Sequence, residues 1–410
     1  MLRLELKKML KTPANLVIIG TAVLFSFLLS YLPVTYESCT ILENGQPVRL
    51  KGYAALVQLR EMQGIVSGEV TPELLAEGLN EYNAVLEEYL VSSPDDLPDG
   101  VYSSRIGPYF RLLHMLREAY ADPKTGIPEE LTELTDEDLK QFETVRFNRL
   151  ITLMEQENRP EPVRTEAVKM YQSTRVPLQY YPYFNTNVLD YELLVFLMVM
   201  VCGVILAAPA FSLDYQTGAD DIQRCTKNGM TKLAAVKCAS VLIIVSVLYV
   251  FSAAVFFLMF RRFYGTEALN SDIQTYLSLF AFEPWTIGQL MKYMAIAGYI
   301  CTVSTVLFTM MISASIHSYA KAIGISLLAL LMPMLLDTFF GSKITDWIIS
   351  ILPSCGLMIQ YSFYYAVHSL SFLSAGNIAV AAERAMTVFE MIGIPVYSLL
   401  TLRMYKKQGV

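Results

Sequence analysis

The chain has 410 residues, of which 54% are hydrophobic and only 17% charged, with a net charge of −7. A soluble globular chain carries about 25% charged residues; here the apolar residues gather in long blocks. That pattern excludes an ordinary soluble enzyme. An unbroken apolar stretch of about 18 residues or more is long enough to cross a bilayer as a helix, so the composition predicts an integral membrane protein.

Taken in chain order, hydropathy predicts six spans, near 14–33, 191–213, 236–260, 291–314, 320–340 and 386–403. Each must be helical, because hydrocarbon leaves backbone polar groups no partner but one another. The run at 14–33 follows a basic start but is too long for a signal peptide, and no cleavage-like site follows it, so it reads as a retained first span. Lys and Arg flank the spans unevenly. Arg3, Lys7, Lys8 and Lys11 precede the first span, and Arg224, Lys227, Lys232 and Lys237 lie between the second and third. Lys321 sits near the fourth turnaround, and Arg403, Lys406 and Lys407 close the chain. The bias puts both termini in the cytoplasm of a multi-pass plasma-membrane protein; Arg261 and Arg262 are the exception.

Residues 34–190 then form one large extracellular insertion, where acids outnumber bases nearly two to one. It reads as mostly helical. Thr71 caps a helix with Pro72 in its first turn, and Leu74, Leu75, Leu79, Tyr82, Leu86 and Tyr89 recur at helical spacing. Thr135 and Asp138 have the spacing of a capping box, and 105–120 makes a further helix. Pro/Gly/Asp clusters separate these elements. The expected fold class is therefore an all-α membrane protein: six transmembrane helices with a helical extracellular domain inserted between the first two. The segments 280–291 and 347–367 are apolar but broken by Pro and Gly, and read as an extracellular loop and as a re-entrant or interfacial stretch, with extra spans as the alternative.

Several chemistries have no carrier. There is no G-x-x-x-x-G-K-S/T phosphate loop, no HExxH, no G-x-S-x-G and no CxxC pair. The three histidines, His114, His317 and His368, are far apart. No catalytic residue, cofactor, metal or nucleic-acid partner is expected. Cys39 and Cys355 fall on the same side in this topology, and the sequence leaves open whether they pair. Asp337 and Glu390 lie near span ends, where carboxylates ordinarily reach back to the interface. A secondary transporter is expected to carry more polar groups at mid-membrane.

The stretch FSLDYQTGADDIQRCTKNGMTKLAAVK, 211–237, interrupts two spans. ADDIQRCTKNG reads as one short helix, with Asp220 and Asp221 in its first turn and Lys227 in its last, as the helix dipole favours. Asn228-Gly229 ends it. A short charged helix between two rigid spans is a handle through which a soluble partner moves both.

This segment resembles the region between the second and third spans of ABC-2-type ABC transporter permeases, on Phe211, Asp214, Gly218, Arg224 and Lys237. The likeness extends to six spans with both ends inside and a basic amphipathic helix ahead of the first, with Leu2, Leu6, Met9 and Leu10 on one face. The stretch from ENGQPVRLKGYAAL to VTPELLAEGLNEY is similar to extracellular domains of Gram-positive members. Thr217 precedes Gly218 and Ala219 follows it, a departure from the usual Gly-Thr order. The resemblance implies a membrane subunit that pairs with a second permease subunit, like or unlike itself, in lipid. Its ATP-binding cassette ATPase would be a separate chain, and 214–235 its coupling segment. Asp220, Asp221, Arg224 and Lys227 would make polar contacts with the ATPase, and Ile222 and Met230 would be apolar plugs. The resemblance implies export, of a peptide or an amphipathic compound.

Overall fold

The computed structural model describes all residues except 44–45, 65, 123–124, 126–129, 227–228, 341, 359–360 and 408–410. Among the described residues, six helices are long and apolar enough to cross a membrane, as in a multi-pass membrane protein. They are Pro13–Thr35, Asn187–Thr217, Thr231–Phe263, Ile287–Ser315, Tyr319–Phe339 and Ala382–Lys407, here spans one to six, and each overlaps one predicted run. A separate amphipathic helix, Leu2–Lys11, precedes span one.

Spans two and four form the centre of the bundle, each with 61% of its apolar window buried, against 22% for span five and 28% for spans one and six. Span four packs against spans two and six. Small hydroxyl residues permit the close approach: Thr302, Thr305 and Thr309 each donate to the carbonyl one turn back, at 2.8–3.0 Å, so these three hydroxyls are satisfied within the helix. Spans one and three are joined by a hydrogen bond from Ser26 to Ser252 at 2.8 Å.

The insertion between spans one and two is mostly helical but not all-α. Ser38–Glu43 pairs antiparallel with Gln46–Lys51, Ser38 facing Lys51. Gly68–Glu69 pairs with Gln179–Tyr180, tying the early part of the insertion to its end. A second hairpin, Phe372–Ala375 with Ile378–Ala381, sits ahead of span six. Pattern reading missed these strands because they are short and carry no sustained period-two alternation. The helical expectations at 72–89 and 135–140 are met locally. Thr71 accepts from the Leu74 N–H at 3.3 Å. Thr135 N–H donates to Asp138 Oδ2 at 2.8 Å, while Thr135 Oγ accepts from Asp138 N–H at 3.4 Å. The Thr135 side chain, and its backbone N–H, hold the Asp138 carboxyl below its ordinary value. That contribution is present above pH 4 or so and is lost as pH falls through the lowered folded-state value. Thr135→Ala should cost about 1 kcal/mol, read as a fall in the unfolding temperature that shrinks in acid.

One hydrophobic core runs without a break from the insertion (Leu75, Leu112, Phe142) into the spans (Phe196, Tyr249, Leu290, Met386). A second, smaller core closes the other end of the bundle around Phe211, Val241, Met310 and Tyr405.

Among the described residues, the segment before span six forms no further span. Beside the hairpin it holds two short helices, Lys343–Ile351 and Phe363–His368, with a turn of 3-10 helix at Cys355–Leu357. Ser354 Oγ donates to the Leu330 carbonyl at 2.8 Å and its N–H to Glu390 Oε1 at 3.1 Å, so the segment folds back between spans five and six. Glu390 is thus buried, 3% exposed, rather than reaching a surface, because that backbone N–H meets it inside. Cys39 and Cys355 do not pair: both are free and buried, and each contacts a backbone carbonyl of its own neighbourhood, Ala55 and Ser350.

Candidate functional site between spans two and three

Span two does not end at residue 213. Its hydrogen-bond ladder is interrupted at Ala208, because Pro209 has no N–H to continue it, and the helix then runs on as Pro209–Thr217. Ser313 of span four fills the gap: its hydroxyl donates to the Ala208 carbonyl at 2.7 Å and accepts from the N–H groups of Phe211 and Ser212, both at 3.1 Å. The chain then turns at Gly218, where φ is +71°. A side chain is disfavoured in that left-handed region, so Gly218→Ala should cost about 1 kcal/mol. The expected readout is a lower melting temperature with the bundle otherwise intact. A short helix, Ala219–Arg224, follows, and span three begins at Thr231. The predicted helix was longer. It stops at Arg224, and the Gln223 carbonyl instead takes the N–H and hydroxyl of Thr226, at 3.1 and 2.7 Å.

Two polar knots hold this turn. In the first, Asp214 bonds Lys237 of span three through Oδ2, accepts from Lys8 of the N-terminal helix at 3.1 Å through Oδ1, and accepts from Gln223 at 3.3 Å. Asp214 and Lys237 are 4% and 2% exposed, whereas the Lys8 side chain is about half exposed. Lys237 also faces the Phe211 ring, 5.2 Å from its centroid. Four elements converge on one carboxylate.

In the second knot, Asp220 pairs with Arg224 and accepts from the Tyr405 hydroxyl at 2.9 Å. Arg224 donates to the Tyr405 carbonyl at 2.8 Å and lies 4.1 Å from that ring's centroid. Burial works to lower the Arg224 guanidinium, but the hydrogen bond and charge of Asp220 raise it above its ordinary value. The knot fastens the short helix to the end of span six.

The predicted contact residues therefore divide. Asp214, Asp220, Arg224 and Lys237 turn inward and bind parts of this same chain. Asp221, Ile222 and Met230 turn outward; Ile222 is 75% and Met230 39% exposed. Lys227 lies outside the described residues. Sequence reading missed Lys8, Gln223, Ser313 and Tyr405 as partners, since each is distant in sequence or of unremarkable type.

It also missed Glu192 in span two, which is fully buried with neither carboxylate oxygen partnered, and Glu283, buried and bridged to Arg384 at 2.6 and 2.8 Å. A carboxylate inside an apolar run was the available signal for Glu192. Among the described residues, no group of His, Cys, Asp and Glu is placed to hold a metal ion. Comparison with protein-family models, with curated proteins and with solved structures finds no match for this chain.

Proposed function

We propose that this chain is the membrane subunit of a two-part transporter of the ABC-2 permease type, in which residues 214–237 receive force from a separate ATPase. The observation that carries the reading is the division of the turn. Its outward face offers Asp221 and a bare isoleucine, Ile222, to a partner. Its inward face is bonded to span three, span six and the N-terminal helix through Asp214, Asp220 and Arg224. A push on such a helix moves several spans together. The Lys/Arg bias supports placing both termini and this turn in the cytoplasm and the 34–190 insertion outside. Two such subunits, like or unlike, would act together in the lipid bilayer, in the direction of export and with a peptide or amphipathic compound as cargo.

The test is co-purification from the native membrane in mild detergent. An ATPase bearing a phosphate loop should accompany the chain, and Ile222→Glu should abolish the association while leaving the permease folded, since the side chain is exposed. Retention at the wild-type level, or no ATPase at all, overturns the proposal. One observation favours a second reading, a proton-coupled secondary transporter: the unpartnered carboxyl of Glu192 within a span. Transport by the chain alone in proteoliposomes, driven by a pH gradient without ATP, would select it.

A further inference from the structure

Where the insertion meets the spans, the chain forms a half-open pocket of about 230 Å³. Its wall holds residues flanking spans one and two, Glu37 and Asn185, and through Glu37 it is bonded to the residue that follows span three. Glu37 lies two residues past span one, Asn185 two residues before span two, and Tyr264 directly follows span three. Glu37 Oε1 accepts from Asn185 Nδ2 at 3.0 Å and from Tyr264 Oη at 3.1 Å. Among the described residues its second oxygen has no partner. Burial raises the Glu37 carboxyl above its usual range, while the Asn185 and Tyr264 hydrogen bonds oppose that rise.

Arg111 also lines the cavity. One of its N–H groups reaches the Tyr276 carbonyl at 3.2 Å, and the guanidinium lies 5.0 Å from the Tyr276 ring centroid. It forms no ion pair with Glu37 or with any other described carboxylate. An unpaired cation and a half-satisfied carboxylate thus face one small pocket. Aromatic rings make up much of the rest of the wall, beside Leu56 and Leu59: Tyr180 is 2% and Tyr276 4% exposed, and their rings lie 5.7 Å apart.

A backbone anomaly sits in the same wall. Tyr183 has φ of +79°, a conformation that side-chain-bearing residues seldom adopt. Its phenol packs so closely on Gly64 that no Cβ would fit there, and Arg60 lies 5.5 Å from its ring centroid. Such strain is maintained where surrounding structure over-determines it, and clusters at ligand sites. A concave site with a few convergent polar groups is the ordinary form of a small-ligand site, and this one falls below the roughly 300–1,000 Å³ typical of drug-sized ligands.

We propose that this cavity binds a free α-amino acid with an aromatic or large aliphatic side chain, its ammonium on Glu37, its carboxylate on Arg111 and its side chain among Tyr180, Tyr183 and Tyr276. Two opposite charges in one pocket, not paired with each other, match a zwitterion and leave either lone charge half served. Because the site joins the flanks of three spans, occupancy bears on how they sit together. The inference does not depend on an ATPase partner, and it is read on the isolated chain.

The experiment is calorimetric titration of the purified full-length chain in nanodiscs with L-phenylalanine and L-leucine, beside N-acetyl-L-phenylalanine, which lacks the ammonium, and phenethylamine, which lacks the carboxylate. Both amino acids should bind saturably and each analogue about tenfold or more weakly, the loss of one charge-assisted contact. Glu37→Gln should erase the distinction between phenylalanine and its N-acetyl form, and Arg111→Gln the distinction from phenethylamine. Leu59→Trp, which fills the cavity from its wall without altering either charge, should abolish binding with an unchanged melting temperature. This variant keeps the test valid if a charge substitution impairs folding. Absence of saturable binding by both amino acids, equal binding of phenethylamine, or full binding by a folded Leu59→Trp chain each overturns the proposal.

Discussion

Asp214→Ala is expected to destabilise the folded chain by about 3–5 kcal/mol, the usual cost of removing one partner from a buried ion pair. The Lys237 ammonium would be left 2% exposed, with the Phe211 and Tyr405 rings 5.2 and 5.8 Å away and no anion. Lys8 can recover its hydration, being half exposed, and so adds little to the cost. Gln223 would also lose its hydrogen bond to span two. Replacing both members together, Asp214→Leu with Lys237→Met, should recover most of the loss, because the desolvation penalty disappears with the charges. Thermal unfolding in detergent of the parent, Asp214→Leu, Lys237→Met and the double variant gives the coupling directly. If Asp214→Ala melts within a degree of the parent, the pair does not hold this turn. Under the proposed function the double variant has a further use: it should fold, yet couple poorly to an ATPase, since the carboxylate that gathers four elements is gone.

Tyr405→Ala should be comparably severe, about 3–5 kcal/mol by analogy with other buried aromatic truncations. The ring is fully buried, with centroids 5.1 Å from Phe211 and 6.3 Å from Tyr215, and Arg224 lies against it. Its hydroxyl donates to Asp220 Oδ1 at 2.9 Å, with the Gly229 carbonyl also at 3.2 Å. Tyr405→Phe retains the ring and removes only the hydroxyl, leaving a buried carboxylate oxygen short of a donor, a loss of about 1–3 kcal/mol. The order parent, Phe, Ala in melting temperature is the expected result. Equal melting of the Phe and Ala variants would show that the hydroxyl, not the packed ring, holds span six to the turn.

The six spans were legible in the sequence because bilayer thickness sets a minimum apolar length and six runs meet it. The caps at Thr71 and Thr135 were legible for a different reason: the partner lies three residues on, so spacing alone nearly specifies the bond. The expectation that Glu390 reaches the interface failed because a residue near a span end was assumed to face outward. A segment folded back from 354 supplies its hydrogen bond instead. The open question of Cys39 and Cys355 had no answer in their spacing, since proximity depends on how the insertion sits on the spans.

The sequence by itself determined how many helices are apolar enough to cross a membrane, roughly where each begins, and that a short polar turn joins the second to the third. Which side of that turn faces outward was decided by tertiary structure alone. Asp220 and Ile222 stand two residues apart on a six-residue helix, too short for periodicity to assign a face. The inward choice is fixed by Tyr405, 185 positions away from Asp220, and by Lys237 meeting Asp214 across the turn. Hydrophobic pattern reports that a residue must leave water; only packing of distant segments supplies the group it meets when it does.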